Sequence, residues 1–342
     1  MPKIQLSSVP TVTWADVVVR LEAAHVSPVR HCYLVMTPRQ VTMLLALAAL
    51  WGASFLFMRV AVPEFGPIVL ADARVAVAGV VLLGYASAIR VRPALRARWR
   101  DYLLLGTINA ALPFSLLAAA ELEIEASLAA VLNAMAPLCG ALVAGVWLRE
   151  RITHAAKAGL VLGVVGVALV VGLSPFTLDL AFVLAVFACL GAAFAYGVGA
   201  NLVRVRFAGE PPLAMAIGQQ LAAAAVLLPL VPVVPLREAP ATVDVACVLA
   251  LALGSTGIAY LLYFRLLREL GATGGMTVIF VVPVFGVLWG ALFLDERIQL
   301  GTLLGGAGIL ISVWLITRVP VKARTPAAAG AAQLGEATSS AR

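Results

Sequence analysis

Apolar runs of about 20 residues recur along the chain, parted by short gaps of polar or small residues. Ten such runs fall at about 41–62, 68–90, 101–120, 126–148, 156–173, 178–201, 213–235, 242–264, 273–294 and 300–317. Roughly 20 apolar residues in a helix cross a hydrocarbon core of about 30 Å. The pattern therefore predicts an all-α polytopic membrane protein with ten transmembrane helices. The gaps leave no room for an inserted soluble domain. Two ends fall outside the pattern. Residues 1–39 hold no span-length run and no signal-peptide layout, and Met36 begins a polar lead into the first run. Translation is expected to start there, leaving the upstream residues as an untranslated extension. The small, polar-tinged residues 319–342 are expected to form a disordered cytoplasmic tail.

A second regularity lies within the runs. PLCGALVAGVWLRERI, from Pro137 to Ile152, returns as PVFGVLWGALFLDERI, from Pro283 to Ile298. The offset of 146 residues also pairs Phe114 with Tyr260, Glu123 with Glu269, Ala126 with Ala272 and Gly159 with Gly305. A gap-free register over three spans points to an internal duplication. Five spans per half is an odd number, so the second half must enter from the opposite side. This predicts two inverted five-helix repeats, 40–173 and 178–318, an architecture of secondary transporters.

Composition agrees with the pattern and charge orients it. Of the 342 residues 63% are hydrophobic and 12% charged, against about 25% charged in ordinary soluble domains. The net charge of +7 might suggest nucleic acid, but the bases sit in gaps between runs rather than along one face. Of 24 Lys and Arg, Arg74 lies inside a run, and Arg59, Arg237 and Arg297 fall in one set of gaps. All the others fall in the alternate gaps and the two tails, which predicts cytoplasmic termini in a multi-pass cytoplasmic-membrane protein. Cys32, Cys139, Cys189 and Cys247 lack metal or disulfide spacing.

The segment Trp51-Gly52-Ala53-Ser54-Phe55, Pro67 followed by Arg74, and the two Pro-x-x-Gly…Glu-Arg-Ile endings resemble the EamA-type drug/metabolite transporters over about residues 40–318. The resemblance implies a ten-helix inverted-repeat carrier, commonly an exporter of amino acids or related small metabolites. The second half departs from the pattern: Gln219 stands where Arg74 would recur, and Leu190-Gly191 replaces the Trp-Gly pair.

Several side chains inside the runs are candidates for substrate contact. Arg or Asp at mid-membrane costs about 2.5–3.5 kcal/mol on insertion scales, so such residues face a cavity or a partner. Arg74 offers a planar fork for a carboxylate. Asp72, two residues away, points elsewhere on the helix and is a candidate proton carrier. Trp51, Phe55, Phe114, Tyr196, Tyr260 and Phe280 supply aromatic walls, and Asn109, Asn133 and Gln219 supply amides, the mixture a small polar ligand needs. The competing reading for each is inter-helix packing. Arg59, near a run end, is expected to snorkel. Pro137 and Pro283 are expected to kink equivalent helices. Glu150, Arg151, Glu296 and Arg297 are expected to fix helix ends, with Thr153 capping the next helix. The GxxxG spacings from Gly159, Gly286 and Gly301 are expected to serve packing within the chain.

No Walker loop, HExxH or catalytic dyad occurs, and the three histidines, His25, His31 and His154, lie outside the runs. The expected function is secondary transport of a small amino acid or related polar metabolite, outward, by alternating access. No enzyme activity, cofactor, metal or nucleic acid is expected; the lipid bilayer is the milieu, a proton the candidate coupling ion and a homodimer the candidate oligomer. A nucleotide-sugar or drug carrier of the same superfamily, or a non-transporting membrane structural protein, is the alternative.

Overall fold

The computed structural model describes residues 36–91, 93, 95–150, 152–173, 179–233 and 240–317, with backbone alone at 272–274 and 276. The residues upstream of Met36, expected to be untranslated, the tail and Arg151 lie outside the described residues. Contacts divide the chain into two units, 1–41 and 42–342. In the first, the described part is the lead into a helix. There the Thr37 N–H donates to Gln40 Oε1 at 2.9 Å and the Gln40 N–H to Thr37 Oγ1 at 3.3 Å, a reciprocal capping box.

All regular structure among the described residues is helical. Helix α1 spans Pro38–Ala88, α2 Trp99–Gly106, α3 Leu112–Ala120, α4 Ala126–Asn133, α5 Ala136–Trp147 and α6 His154–Gly172. In the later part of the chain α7 spans Leu180–Arg206, α8 Pro212–Leu227, α9 Thr242–Leu249, α10 Ala259–Met276, α11 Val278–Phe293 and α12 Leu300–Thr317. Two π-helical stretches, Thr107–Ala111 and Ala250–Ile258, join α2 to α3 and α9 to α10. Eight helical stretches among the described residues are long and apolar enough to cross a membrane, and α11 is a shorter apolar helix. The 51-residue α1 is not one straight rod. It breaks at Gly66, whose φ of 70° and ψ of 162° only glycine adopts readily, between Pro63 and Pro67. The α10 helix breaks in the same way at Gly271, with φ 70°.

Small residues set how closely the helices approach. Helices α6 and α12 pack along their glycines. A methyl group on Gly166 would lie 2.8 Å from the Gly305 carbonyl oxygen and one on Gly159 2.9 Å from that of Ser312. Gly286 similarly faces Ala130. These glycines serve packing within the chain, as their spacing predicts. Lipid gives no hydrophobic drive to pair apolar helices, so close van der Waals contact takes its place.

The repeated phrase folds into a repeated device. Arg149 and Asp295, 146 residues apart, are both left-handed at φ 54°. Behind them the Glu150 N–H donates to the Ala144 carbonyl at 3.3 Å and the Glu296 N–H to the Gly290 carbonyl at 3.2 Å. Each carbonyl also accepts from a helical N–H, that of Leu148 or Leu294, so the same long return bond tucks the exiting chain back onto both helix ends. The π-helical stretches obey the same offset, since residues 107–111 map onto 253–257. The two prolines do not match so closely. Pro283 lies inside the continuous α11, whereas Pro137 opens α5 after a turn at 134–135 that splits its span. At that helix-opening position the missing proline N–H costs no hydrogen bond.

Ion pairs gather at helix ends. Arg98 pairs with Glu210 at 3.1 Å and Asp101 at 3.2 Å, Arg206 with Asp101 at 2.8 Å, and Arg204 with Glu150 at 2.6 Å. Thr153 Oγ1 accepts from the Ala156 N–H and caps α6, as expected.

Candidate functional site

The second limb of α1 carries Arg74 into the interior, where it is 5% exposed. Its Nε–H donates to Thr256 Oγ1 at 3.0 Å, and its terminal nitrogens face Ser54 Oγ at 3.5 Å and Met58 Sδ at 3.7 Å. The guanidinium carbon stands 3.7 Å from the centre of the Phe114 ring. A cation over an aromatic face gains about 2 kcal/mol when desolvated. Phe114 meets Tyr196 edge-on, with centroids 6.3 Å apart, and Tyr196 and Tyr260 both lie within electrostatic reach of Arg74. Every hydrogen-bond partner of the guanidinium is neutral, and the ion pairs among the described residues do not include it.

A second polar group forms around Gln219, 4% exposed. Its Oε1 accepts from Asn109 Nδ2 at 3.0 Å and its Nε2 donates to the Tyr260 hydroxyl at 2.5 Å. Both groups draw on the π-helical stretches. A π turn holds one residue more than an α turn and re-aims the side chains around it, a device frequent at functional sites. The first stretch supplies Asn109 and the second supplies Thr256, whose hydroxyl donates back to the Leu251 carbonyl at 3.0 Å while accepting from Arg74.

Of the residues singled out from sequence, Arg74, Phe114 and Tyr196 come together, as do Asn109, Gln219 and Tyr260. The others do not join them directly. Trp51 packs on Tyr263 with centroids 5.3 Å apart. Phe55 is buried in the main core and Phe280 packs against that core. Asp72 is half-buried, with Oδ1 lacking a partner among the described residues, and Asn133 Oδ1 is in the same position. Met58 and Thr256 escaped the sequence reading, and Ser54 entered it only as part of the Trp51–Phe55 segment, not as a candidate contact. A hydroxyl or thioether inside an apolar run carries no charge to draw notice, and only the fold brings these three to Arg74.

Two features of the α3–α4 turn go beyond the sequence reading. Arg59, expected to snorkel, donates from its guanidinium to the backbone carbonyl of Glu121, a C-terminal carbonyl that the end of α3 leaves without a helical partner. Glu121, read as part of a polar gap, is instead 0% exposed, and neither carboxylate oxygen has a hydrogen-bond partner among the described residues. Burial pushes its carboxyl well above the usual 4.5, while Arg59 and Arg74 draw it down and Glu296 adds to the rise. In the same turn burial, with Glu296 adding, raises the Glu125 carboxyl. Glu296 reaches across from the later part of the chain to cap α4, accepting from the Ala126 N–H at 2.7 Å and the Ser127 N–H at 3.0 Å. Glu150 serves its helix end through Arg204, and Arg297 is exposed.

The profile of the EamA-like transporter family matches residues 39–172 and again 183–318. The chain belongs to this family. The EamA-like fold is thus written twice in one chain, in agreement with the duplicated cap and π turn. A probable terminal-alkyne amino-acid exporter of Streptantibioticus cattleyicolor is 30% identical over 281 residues, covering 78% of this chain and 90% of the relative. An uncharacterized transporter of Archaeoglobus fulgidus is 23% identical over 277 residues, covering 78% of this chain and 95% of that one. A chain of known crystal structure superposes with a TM-score of 0.58 at 19% identity, covering 82% of this EamA-like chain and 96% of the other. The last similarity concerns the fold alone. Family and relatives point to a multi-pass membrane transporter rather than an enzyme.

Proposed function

We propose that this EamA-like chain carries a small amino acid or a related carboxylate metabolite out of the cell, with Arg74 holding the carboxylate. The observation that carries the reading is the buried Arg74 guanidinium with neutral partners only. A charge at such depth costs about 2.5–3.5 kcal/mol on insertion scales. The Phe114 face offsets part of that and leaves the charge unneutralised, so an incoming carboxylate is strongly favoured. Arginine binds a carboxylate through two parallel N–H bonds. The aromatic rings of Phe114, Tyr196 and Tyr260 and the amides of Asn109 and Gln219 then surround the rest of the ligand. An amino-acid exporter among the relatives supports the substrate class.

The architecture that goes with this reading has ten spans in two inverted five-helix repeats, 40–173 and 178–318. The Gly66 break divides α1 into two spans, and α11, which follows the Gly271 break, counts as another. Two pseudo-symmetric packings then supply an inward-open and an outward-open state. Both termini face the cytoplasm in the cytoplasmic membrane, following the distribution of Lys and Arg.

Counterflow in proteoliposomes tests the reading. The probes are radiolabelled L-leucine and L-propargylglycine, a terminal-alkyne amino acid. Wild type and Arg96→Ala, altered at an exposed position, should exchange label alike. Arg74→Lys keeps the charge but loses the fork and should bind about 30-fold more weakly, the equivalent of about 2 kcal/mol of charge-assisted bonding. Undiminished exchange by a folded Arg74→Lys would remove Arg74 from the site.

A further inference from the structure

Glu121 is the buried ionisable group that carboxylate binding at Arg74 leaves unused. It sits where α3 ends, against the core built from Ala118, Ala120, Ile124 and Cys189. Its oxygens meet no donor among the described residues. The nearest guanidinium, on Arg59, is directed at the Glu121 backbone carbonyl rather than its carboxylate. An ionised carboxylate desolvated without hydrogen bonds is strongly disfavoured, and the neutral acid much less so.

The charged and titratable groups that face Glu121 are Arg59 and Arg74 from the two limbs of α1, Glu296 beyond α11 and the Cys189 thiol of α7, while Glu125 in the same turn shares Arg59 and Glu296 with it. Glu296 already has both oxygens on the α4 backbone. Arg74 is the charge whose circumstances change in the transport reading, because its field is answered either by Glu121 or by a ligand.

We propose that Glu121 is a proton-binding site whose occupancy is linked to anion binding at Arg74. With the proton on a carboxylate oxygen, the interior holds no counter-charge for Arg74, and an incoming carboxylate is bound tightly. When the proton leaves to water, the Glu121 carboxylate offsets the Arg74 field and the ligand is weakened. Linkage is reciprocal, so a bound carboxylate in turn holds the proton on Glu121. Proton and anionic group are therefore bound together, and the pair adds no net charge to the interior. The inference rests on the carboxylate reading of Arg74, while the proton site itself stands on the burial and isolation of Glu121.

Two measurements on the full-length purified protein test it. Infrared titration should show a protonated carboxylic-acid band near neutral pH in wild type that is missing in Glu121→Gln. Its absence from wild type would overturn the proposal. Equilibrium binding of L-leucine and L-propargylglycine across pH should weaken as pH rises, by about 5- to 150-fold in total. Glu121→Gln, a neutral mimic of the acid, should bind tightly at every pH, and Glu123→Gln, at an exposed position of the same turn, should keep the wild-type profile. Wild-type pH dependence persisting in Glu121→Gln would sink the linkage. A wild type that shows the band yet binds neither amino acid at any pH would refute the Arg74 reading and the linkage with it, leaving a proton site alone. A Glu121→Gln chain that does not fold is replaced by Glu121→Asp, which should shift the midpoint of the binding profile; an unmoved midpoint counts against the proposal.

Discussion

Removing the Glu296 carboxylate should weaken the fold several-fold more than removing that of Glu150, although the two residues close the same repeated phrase. Glu296 holds the first two N–H groups of α4 at 2.7 and 3.0 Å. A hydrogen bond to a charged group is worth about 1.5–3 kcal/mol and a helix cap about 0.5–2 kcal/mol. The two bonds share one carboxylate and do not add fully, so Glu296→Ala should cost about 2–4 kcal/mol. Glu150 instead pairs with Arg204, whose side chain is 53% exposed, and exposed pairs contribute about 0–1 kcal/mol. At about 2 °C per kcal/mol for a sizeable chain, the expected losses in Tm are about 4–8 °C for Glu296→Ala and about 2 °C or less for Glu150→Ala. Thermal unfolding in detergent, followed by tryptophan fluorescence, reads both. Glu296→Gln keeps an acceptor oxygen and should recover roughly half the loss. Because the Glu296 carboxylate lies directly against Gly290, Gly290→Ala should displace it and reproduce the Glu296→Ala defect, with little further loss in the double variant. Equal shifts at 150 and 296, or full additivity with Gly290→Ala, would refute the capping role.

Gly166→Ala puts a methyl 2.8 Å from the Gly305 carbonyl oxygen and should cost about 1–3 kcal/mol by forcing α6 from α12; Gly84→Ala, with nothing within 4 Å of the new methyl, should cost nothing measurable in the same thermal assay. Glu121 makes stability depend on pH with a definite sign. Its folded-state value is raised above 4.5, so the folded chain holds the proton more tightly than the unfolded one, and this stabilisation is complete below about pH 4.5 and lost as pH rises through the folded value. Glu121→Gln should therefore match the wild-type Tm at acid pH and exceed it increasingly toward alkaline pH; a constant difference would contradict the burial of an ionisable acid there.

The membrane class and the duplication were legible because lipid enforces them. A span must be apolar for about 20 residues, and a duplicated cap such as Arg149-Glu150 and Asp295-Glu296 keeps its spacing in print. Arg74 was legible for the same reason, as a charge where charge is costly. Glu121 was not: it follows an apolar run and precedes Glu123 and Glu125, so the string reads as a wet turn, and only the fold draws the first of the three acids inward. The partner of Arg59 was hidden in the same way, since nothing local says that it is a carbonyl 62 residues away. The reach of Glu296 to α4 likewise joins residues about 170 apart. The π turns leave no compositional mark, because five or nine residues are too few for their longer period to register against that of an α-helix.

Those π turns give the carrying helices a surplus residue each. A surplus residue can be passed along a helix, because every N–H exchanges one carbonyl for its neighbour instead of losing it. One such step turns the backbone on one side by about 100°. A single step in the second stretch would swing Thr256 off Arg74, and one in the first would swing Asn109 off Gln219. Such steps would make the duplicated stretches a matched pair of swivels under the two polar groups. Release by a twist about the helix axis would then need no hinge at proline and no parting of the glycine-packed pair α6 and α12.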